Sequence, residues 1–193
     1  MSAIPIARVT PEEYLAADRA AAFRSEYVDG EVFAMSGGSR THSRLISRLS
    51  RELENALEDR PCNVNVTELR LKIAPQGDYF YPDITVNCED NPADPPDILT
   101  NPVLIAEVLS PSTERWDRTG KFAKYRSLPA LREYVLISQD EMRVEWYTRN
   151  DSGDWIYRET NGPEGVCHLE LLNVTIPLAA LYKKITLDPA PNS

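Results

Sequence analysis

The sequence predicts a mixed α/β fold. Three observations carry this: two apolar, β-branched runs that each hold one acid, stretches of helical periodicity, and a C-terminal half of short alternating segments separated by polar turns. With 193 residues and 42% hydrophobic content, one domain over residues 1–187 and a frayed tail over 188–193 are expected. The 30 acidic residues against 21 lysines and arginines leave a net charge of −9, which excludes broad, nonspecific attraction to polyanions. Any polyanionic partner then has to be met by a local basic patch or by bound metal. Cys62, Cys88 and Cys167 are widely spaced and form no CxxC pair, so neither a disulfide framework nor a zinc site is expected, in keeping with a reducing cytoplasm. Glu12, Glu13 and Asp18 interrupt the first twenty residues, and no apolar run approaches bilayer length. A soluble, cytoplasmic protein without a membrane partner is expected.

Thr10-Pro11-Glu12-Glu13 reads as a capped helix start, with a short helix to about Ala17. Ser25 to Met35 holds Asp29-Gly30 between alternating arms, the pattern of a tight hairpin whose second arm begins at Glu31. Glu26 and Glu31 are either solvent-facing strand residues or members of a site. After the lead Ser36–Thr41, a helix runs from His42 to about Leu57, with Leu45, Ile46, Leu49, Leu53 and Leu57 as its apolar stripe. Four residues before Ile46, His42 falls on the inward face, as a packing residue or a catalyst.

Cys62–Val66 and Leu69–Ile73 alternate in opposite phases, which places a bend near Thr67-Glu68. A turn at Pro75–Asp78 leads to a strand from Tyr79 to Val86 bearing Asp83, with Pro82 marking an edge, a strand start or a distortion. Glu89–Asn101 reads as a proline-rich loop, and Pro102–Ser110 as a buried strand that holds Glu107. A helix from about Asp117 toward Leu128 places Asp117, Lys121 and Tyr125 on one face despite Gly120. Glu133–Ser138, Met142–Thr148 and Trp155–Glu159 form an antiparallel meander, followed by a strand over Leu169–Ile176 and a short helix over Pro177–Tyr182. Trp146, Tyr147, Trp155 and Tyr157 serve either cross-strand packing or a homodimer edge.

An ionised carboxylate in a buried strand needs a cation, a strong donor or a proton. Asp83 and Glu107, 107 − 83 = 24 positions apart, can be brought side by side on paired strands. Hard ions such as Mg2+ or Mn2+ prefer such oxygens, and two carboxylates plus a main-chain carbonyl leave open positions for catalysis. Lys121 is the best placed cation to orient water or stabilise charge on a phosphate. The alternative is an Asp83–Lys121 ion pair with Glu107 satisfied by hydrogen bonds.

Glu26–Val32, His42 opening a helix, Tyr81-Pro82-Asp83-Ile84, Ala106–Thr113, Asp117 with Lys121 and Tyr125, and Glu133–Leu136 together resemble the Uma-two restriction-endonuclease family, over roughly residues 10 to 185. The resemblance implies the PD-(D/E)XK nuclease superfamily and its mixed β-sheet flanked by helices. Pro82-Asp83 matches the PD element and Glu107 the second acid, while Leu109 stands where that element has its lysine. The family's relocated lysine corresponds to Lys121, and the resemblance adds Glu31 and His42 as outer members of the site. The implied reaction is Mg2+- or Mn2+-dependent hydrolysis of phosphodiester bonds in DNA. Asp83 and Glu107 hold the ion, and Arg40, Arg44, Arg48, Lys72, Arg115, Arg118 and Lys124 are available around the cleft. Leu109 and the negative net charge motivate the alternative, a catalytically weak or inactive binding or assembly module. A hydrolase of another phosphodiester is a third reading.

Overall fold

Thr10 caps helix α1 (Pro11–Ala20) by accepting from the Glu13 N–H, while the Glu13 carboxylate accepts from the Thr10 N–H. This reciprocal cap satisfies two donors that every helix start leaves open. The hairpin of β1 (Ser25–Val28) and β2 (Glu31–Ala34) turns through Asp29 and Gly30 at φ 51° and 89°, the left-handed pair that matches strand twist. Ser39 caps α2 (Arg40–Leu57), and the five stripe residues of α2 are buried. The chain continues through β3 (Asn63–Val66), β4 (Arg70–Ile73), β5 (Asp78–Phe80), β6 (Ile84–Asn87), β7 (Ile98–Leu99) and β8 (Leu104–Val108). A helical segment follows: α3 (Glu114–Trp116), a π-helical turn (Asp117–Lys121) and α4 (Phe122–Tyr125). Then come β9 (Glu133–Ile137), β10 (Arg143–Arg149), β11 (Trp155–Asn161), β12 (Val166–Leu169), β13 (Val174–Pro177) and α5 (Leu178–Leu181). These elements belong to a computed structural model that describes residues 8–35, 37–73 and 77–187. Ser36, the turn residues Pro75 and Gln76, and the expected frayed tail lie outside the described residues.

The fold is mixed α/β, with two mixed sheets flanked by helices. A six-stranded sheet runs β11-β10-β9-β8-β6-β3, antiparallel except at β8–β9, and contains the expected meander β9-β10-β11. A five-stranded sheet runs β2-β1-β5-β4-β7, parallel only at β4–β7, and β12 pairs with β13 as a separate hairpin. Side chains alternate across a strand, so the larger sheet is buried on both faces. Ala106, Val108, Val135 and Ile137 meet α2, α5 and the β12–β13 hairpin. Ile105, Leu109, Tyr134 and Leu136 meet Leu71, Ile73 and Phe80 of the other sheet together with Tyr125 of α4. Glu107 points to this second side.

Several expectations are corrected. Tyr79–Val86 is not one strand: β5 and β6 belong to different sheets, and the break falls at Tyr81-Pro82-Asp83, where Pro82 supplies no ladder N–H. The phase change near Thr67 is a similar crossing, with Thr67 at φ 47° between β3 in one sheet and β4 in the other. The loop before β8 contains β7, and the segment expected as one strand over Leu169–Ile176 holds the turn of a hairpin, from the last residue of β12 into β13. Cys62 and Cys88, one step beyond the Asn63↔Asn87 pair, are joined by a disulfide with an S–S distance of 2.04 Å. Strand pairing brings them together, which spacing along the chain does not reveal. Among the described residues no helix is long and apolar enough to cross a membrane. Tyr147 packs across from Tyr157 and against Phe122, so the meander aromatics engage in cross-strand and helix packing.

Candidate active site

β6 and β8 pair antiparallel through Ile84↔Ala106. One step further, Asp83 stands opposite Glu107, and both side chains leave the same face. The Asp83 N–H donates to Glu107 Oε2 at 3.3 Å, and Asp83 Oδ2 accepts from the Val108 N–H at 2.7 Å. The break at Pro82 frees the Asp83 N–H from the ladder and lets its carboxylate turn back onto β8.

The following helical segment supplies the cation. Its π-helical turn keeps Asp117 and Lys121 on one face, both buried, and such insertions concentrate at functional sites. Lys121 Nζ lies 3.1 Å from Glu26 Oε1, 3.2 Å from Glu107 Oε1 and 3.4 Å from Asp117 Oδ1. The Tyr125 hydroxyl donates to Glu107 Oε1 at 2.8 Å. Leu109, two residues beyond Glu107 on the same face, is buried in the apolar cluster, and the ammonium that reaches Glu107 comes from the helix. From α2, His42 Nε2 lies 3.2 Å from Asp83 Oδ2. Gly38 is needed for this approach, because a Cβ there would stand 2.8 Å from His42 Nδ1.

Glu26, His42, Asp83, Glu107, Asp117 and Lys121 line a cavity of about 720 Å³, with Phe33, Met35 and Trp116 among its walls. Trp116 lies flat over Gly120, where a Cβ would meet the indole at 1.7 Å. The glycine that weakens the helix is thus the seat of a half-exposed tryptophan.

Burial drives the Glu107 carboxyl up to about 8, Lys121 pulls it back, and Asp83, Asp117 and Glu26 reinforce the rise. Asp117 is raised for the same first reason, against the pull of Lys121. Burial disfavours the Lys121 ammonium, yet Glu107, Glu26 and Asp117 outweigh it and hold the proton above the usual lysine range. His42 behaves alike, its burial outweighed by the hydrogen bond and charge of Asp83, so its pKa rises.

Four carboxylates thus face one lysine and one histidine. Among the described residues Asp117 Oδ1 is buried without a hydrogen bond of good geometry, and Glu107 Oε2 has only the long contact from the Asp83 N–H. An excess of hard, incompletely satisfied oxygens suits a divalent cation in charge and donor type. Among the described residues no three His, Cys, Asp or Glu side chains converge as a metal-binding cluster, so the fit rests on Asp83 and Glu107 as a pair.

Asp83, Glu107, Lys121 and His42 come together at this cavity. Glu31 does not. It shares a hairpin face with Glu26, but it stands at the exposed tip opposite Val28, about 7 Å further along the hairpin than Glu26. Glu26 occupies the place instead, also accepting from the Tyr81 N–H at 3.4 Å. Only the distance along the hairpin separates the two acids, and that depends on how β1 pairs with β5. Asp117 and Tyr125 were visible as neighbours of Lys121 at four-residue spacing, whereas Phe33 and Trp116 had no signal beyond their size. Of the candidate surface cations, Arg118 is held by Glu114 and Glu145, and Lys124 by Asp29 and Asp78.

Residues 11–179 match the model of a family described as "Putative restriction endonuclease". The chain is 38% identical over 152 residues to the uncharacterized protein slr1290 of Synechocystis sp., covering 79% of this chain and 80% of that one. It is likewise 38% identical over 168 residues to the uncharacterized protein sll1609 of the same organism, covering 86% and 95%. A crystal structure described as a putative nuclease belonging to DUF820 from Anabaena variabilis superimposes with a TM-score of 0.76 at 18% identity, covering 92% of this chain and 99% of that one. That likeness shows a shared fold. By the extent of the family match and of these relatives, the chain belongs to the Uma2 family of restriction-endonuclease-like proteins.

Proposed function

We propose that the protein is a metal-dependent endonuclease that hydrolyses phosphodiester bonds in DNA. The observation that carries this reading is the meeting of Asp83 and Glu107 from two antiparallel strands with Lys121 from the next helix, at the floor of one cavity. Asp83 and Glu107 would hold Mg2+ or Mn2+. The ion supplies Lewis-acid polarisation of the phosphate and a more acidic water.

The chain's own groups account for the rest. Glu107 is held in place by Lys121 and Tyr125, and Asp83 by the Val108 N–H and His42. Lys121, kept protonated by its three carboxylates, is a fixed positive charge beside the phosphate and stabilises the negative charge that grows on its oxygens. His42 carries its proton toward Asp83 and positions that carboxylate. Phe33, Met35 and Trp116 add apolar wall beside these charges.

A second reading, a binding or assembly module without turnover, is favoured by the engagement of Lys121 with three acids and by Leu109. Nicking of supercoiled plasmid with Mg2+ or Mn2+ separates the two. The native chain is expected to nick, with Lys121→Ala lowering the rate about 10²–10³-fold and Asp83→Ala abolishing it. Equal nicking by all three proteins removes the proposed site, and no nicking by the native chain with either ion favours the module.

A further inference from the structure

We infer that the outer face of α2 and the segment after α5 form a second anion-binding surface, a groove that takes the sugar–phosphate backbone of a nucleic acid outside the cleft. The identification of the polyanion rests on the nuclease reading. The groove itself stands on its own observations. Arg44, Arg48 and Arg51 of α2 face Lys183 and Lys184 across a space of about 760 Å³, on a chain whose net charge is −9. Ser43 and Ser47 line the same space and add short hydroxyl donors.

Helix stability does not explain these cations. A helix start is the positive end of its dipole and favours acids, while its end favours bases. In α2 the order is reversed: Arg40, Arg44, Arg48 and Arg51 occupy the first part and Glu52, Glu54 and Glu58 the last, with no acid in the first turn and no base in the final one. Arg44 and Arg48 are also a like-charged pair four apart, which is unfavourable. Lys184 sits at φ 63°, a conformation that suits glycine or asparagine better than lysine.

Nor are the charges absorbed by neighbours. Arg51 pairs with Glu52, but among the described residues Arg44, Arg48, Lys183 and Lys184 form no ion pair. Positive charge concentrated against helix preference, and left without acids, is arranged for an anion from outside.

The position fits a backbone passing the cleft. His42, in the first turn of α2, reaches Asp83, and Arg48 lies six residues further on, about 9 Å along the axis. The cleft borders the first turn of α2 through His42, and the groove follows the outer face of the same helix. A strand or duplex whose scissile phosphate sits by Asp83 can thus lay neighbouring phosphates on the groove, giving length-dependent binding that a small diester lacks.

The test is binding of a long fluorescent single-stranded oligonucleotide in EDTA across salt concentrations, paired with hydrolysis of bis-(p-nitrophenyl) phosphate with Mn2+. For R44Q/R48Q/K183Q/K184Q, affinity at about 0.1 M salt is expected to fall at least about tenfold, and the log–log salt slope to shrink by roughly 3, near 0.7 per cation removed. Small-diester hydrolysis stays at the native rate, and the thermal midpoint is unchanged or higher, since charges opposed to the dipole are gone. R44K/R48K retains binding. Unchanged affinity and slope overturn the proposal, as does a loss that R44K/R48K shares, which would assign the arginines to packing. Poly-glutamate binding as tightly as the oligonucleotide overturns the nucleic-acid assignment. A native chain that nicks no plasmid with either ion yet binds through the groove sinks the nuclease reading alone, and one that nicks plasmid but binds as tightly after the quadruple substitution sinks the groove alone.

Discussion

Two buried charge clusters lie on either side of Tyr81, and they are satisfied to different degrees. On one side Asp18 accepts from the Ser25 N–H and hydroxyl, from Arg70 and from the Tyr81 hydroxyl, while Arg70 also pairs with Asp97, which Arg19 holds from outside. Burial works against the Asp18 charge, yet Tyr81, Arg70 and Ser25 overcome it and lower its pKa. On the other side the Tyr81 N–H touches Glu26 at 3.4 Å, and there four acids compete for Lys121 and His42. Among them Glu107 is pushed up to about 8. A network with every lone pair answered fixes the junction of α1, β1 and β4, whereas one left short of positive charge is poised to receive a ligand.

The comparison can be broken at its satisfied side first. Arg70→Met strips the cation from Asp18, whose side chain has no exposure, and is expected to destabilise the fold by about 3–5 kcal/mol in urea unfolding. A loss below about 1 kcal/mol would mean that the network is not what holds this junction.

Glu133 sharpens the contrast from a third place, as a buried acid with an unpartnered Oε2. Burial raises its carboxyl from 4.5 to about 7, and the Leu171 and Glu170 N–H groups offset only part of this. Because the folded form holds the proton more tightly, its contribution is complete below pH 4.5, declines as the pH rises toward 7 and is gone above it, a span of about 3 kcal/mol. Unfolding of Glu133→Gln should show a shallower decline over that window, the share of Glu107, raised to about 8, being left in place. A variant with the native pH profile would show that another group is responsible. Glu133 is absent from the lining of the cleft, so a raised carboxyl alone does not make a site.

Gly120→Ala gains helix propensity of about 1 kcal/mol but drives a methyl into Trp116, and we expect the clash to win by about 1–2 kcal/mol. Tryptophan emission should shift to the red as the indole swings into water. A raised thermal midpoint with unchanged emission would dismiss Gly120 as the seat of the ring. The smallest effect belongs to Asp117→Asn, which thins the crowd of acids and leaves Lys121 two partners. Stability should be unchanged or higher by up to about 1 kcal/mol, the opposite sign from Arg70→Met. A loss as large as that of Arg70→Met would erase the distinction between the clusters.

Much of this was legible before coordinates because the signals are local. The Thr10 cap, the Asp29-Gly30 turn, the apolar stripe of α2 and the four-residue spacing of Asp117, Lys121 and Tyr125 each depend on residues within a turn of one another. Asp83 and Glu107 stood out because an acid in an apolar run has to be answered by something. What escaped is set by pairing at a distance. Whether Glu26 or Glu31 reaches the cleft depends on β1 lying beside β5, and the Cys62–Cys88 bond depends on β3 lying beside β6. The missing N–H of Pro82 signalled an edge, a strand start or a distortion, and the strand start holds; that the new strand belongs to the other sheet depends on pairing that the proline does not reveal.

The central claim is that Asp83 and Glu107 form one receptor for a divalent ion. Calorimetric titration of Mn2+ into the native chain and into Glu107→Gln tests it most directly, because the amide keeps the shape of the side chain and removes its charge. The account predicts saturable binding to the native chain and affinity lower by about tenfold or more in the variant, with both proteins unfolding at similar temperatures. Equal Mn2+ affinity in the two, or none in the native chain, would contradict it.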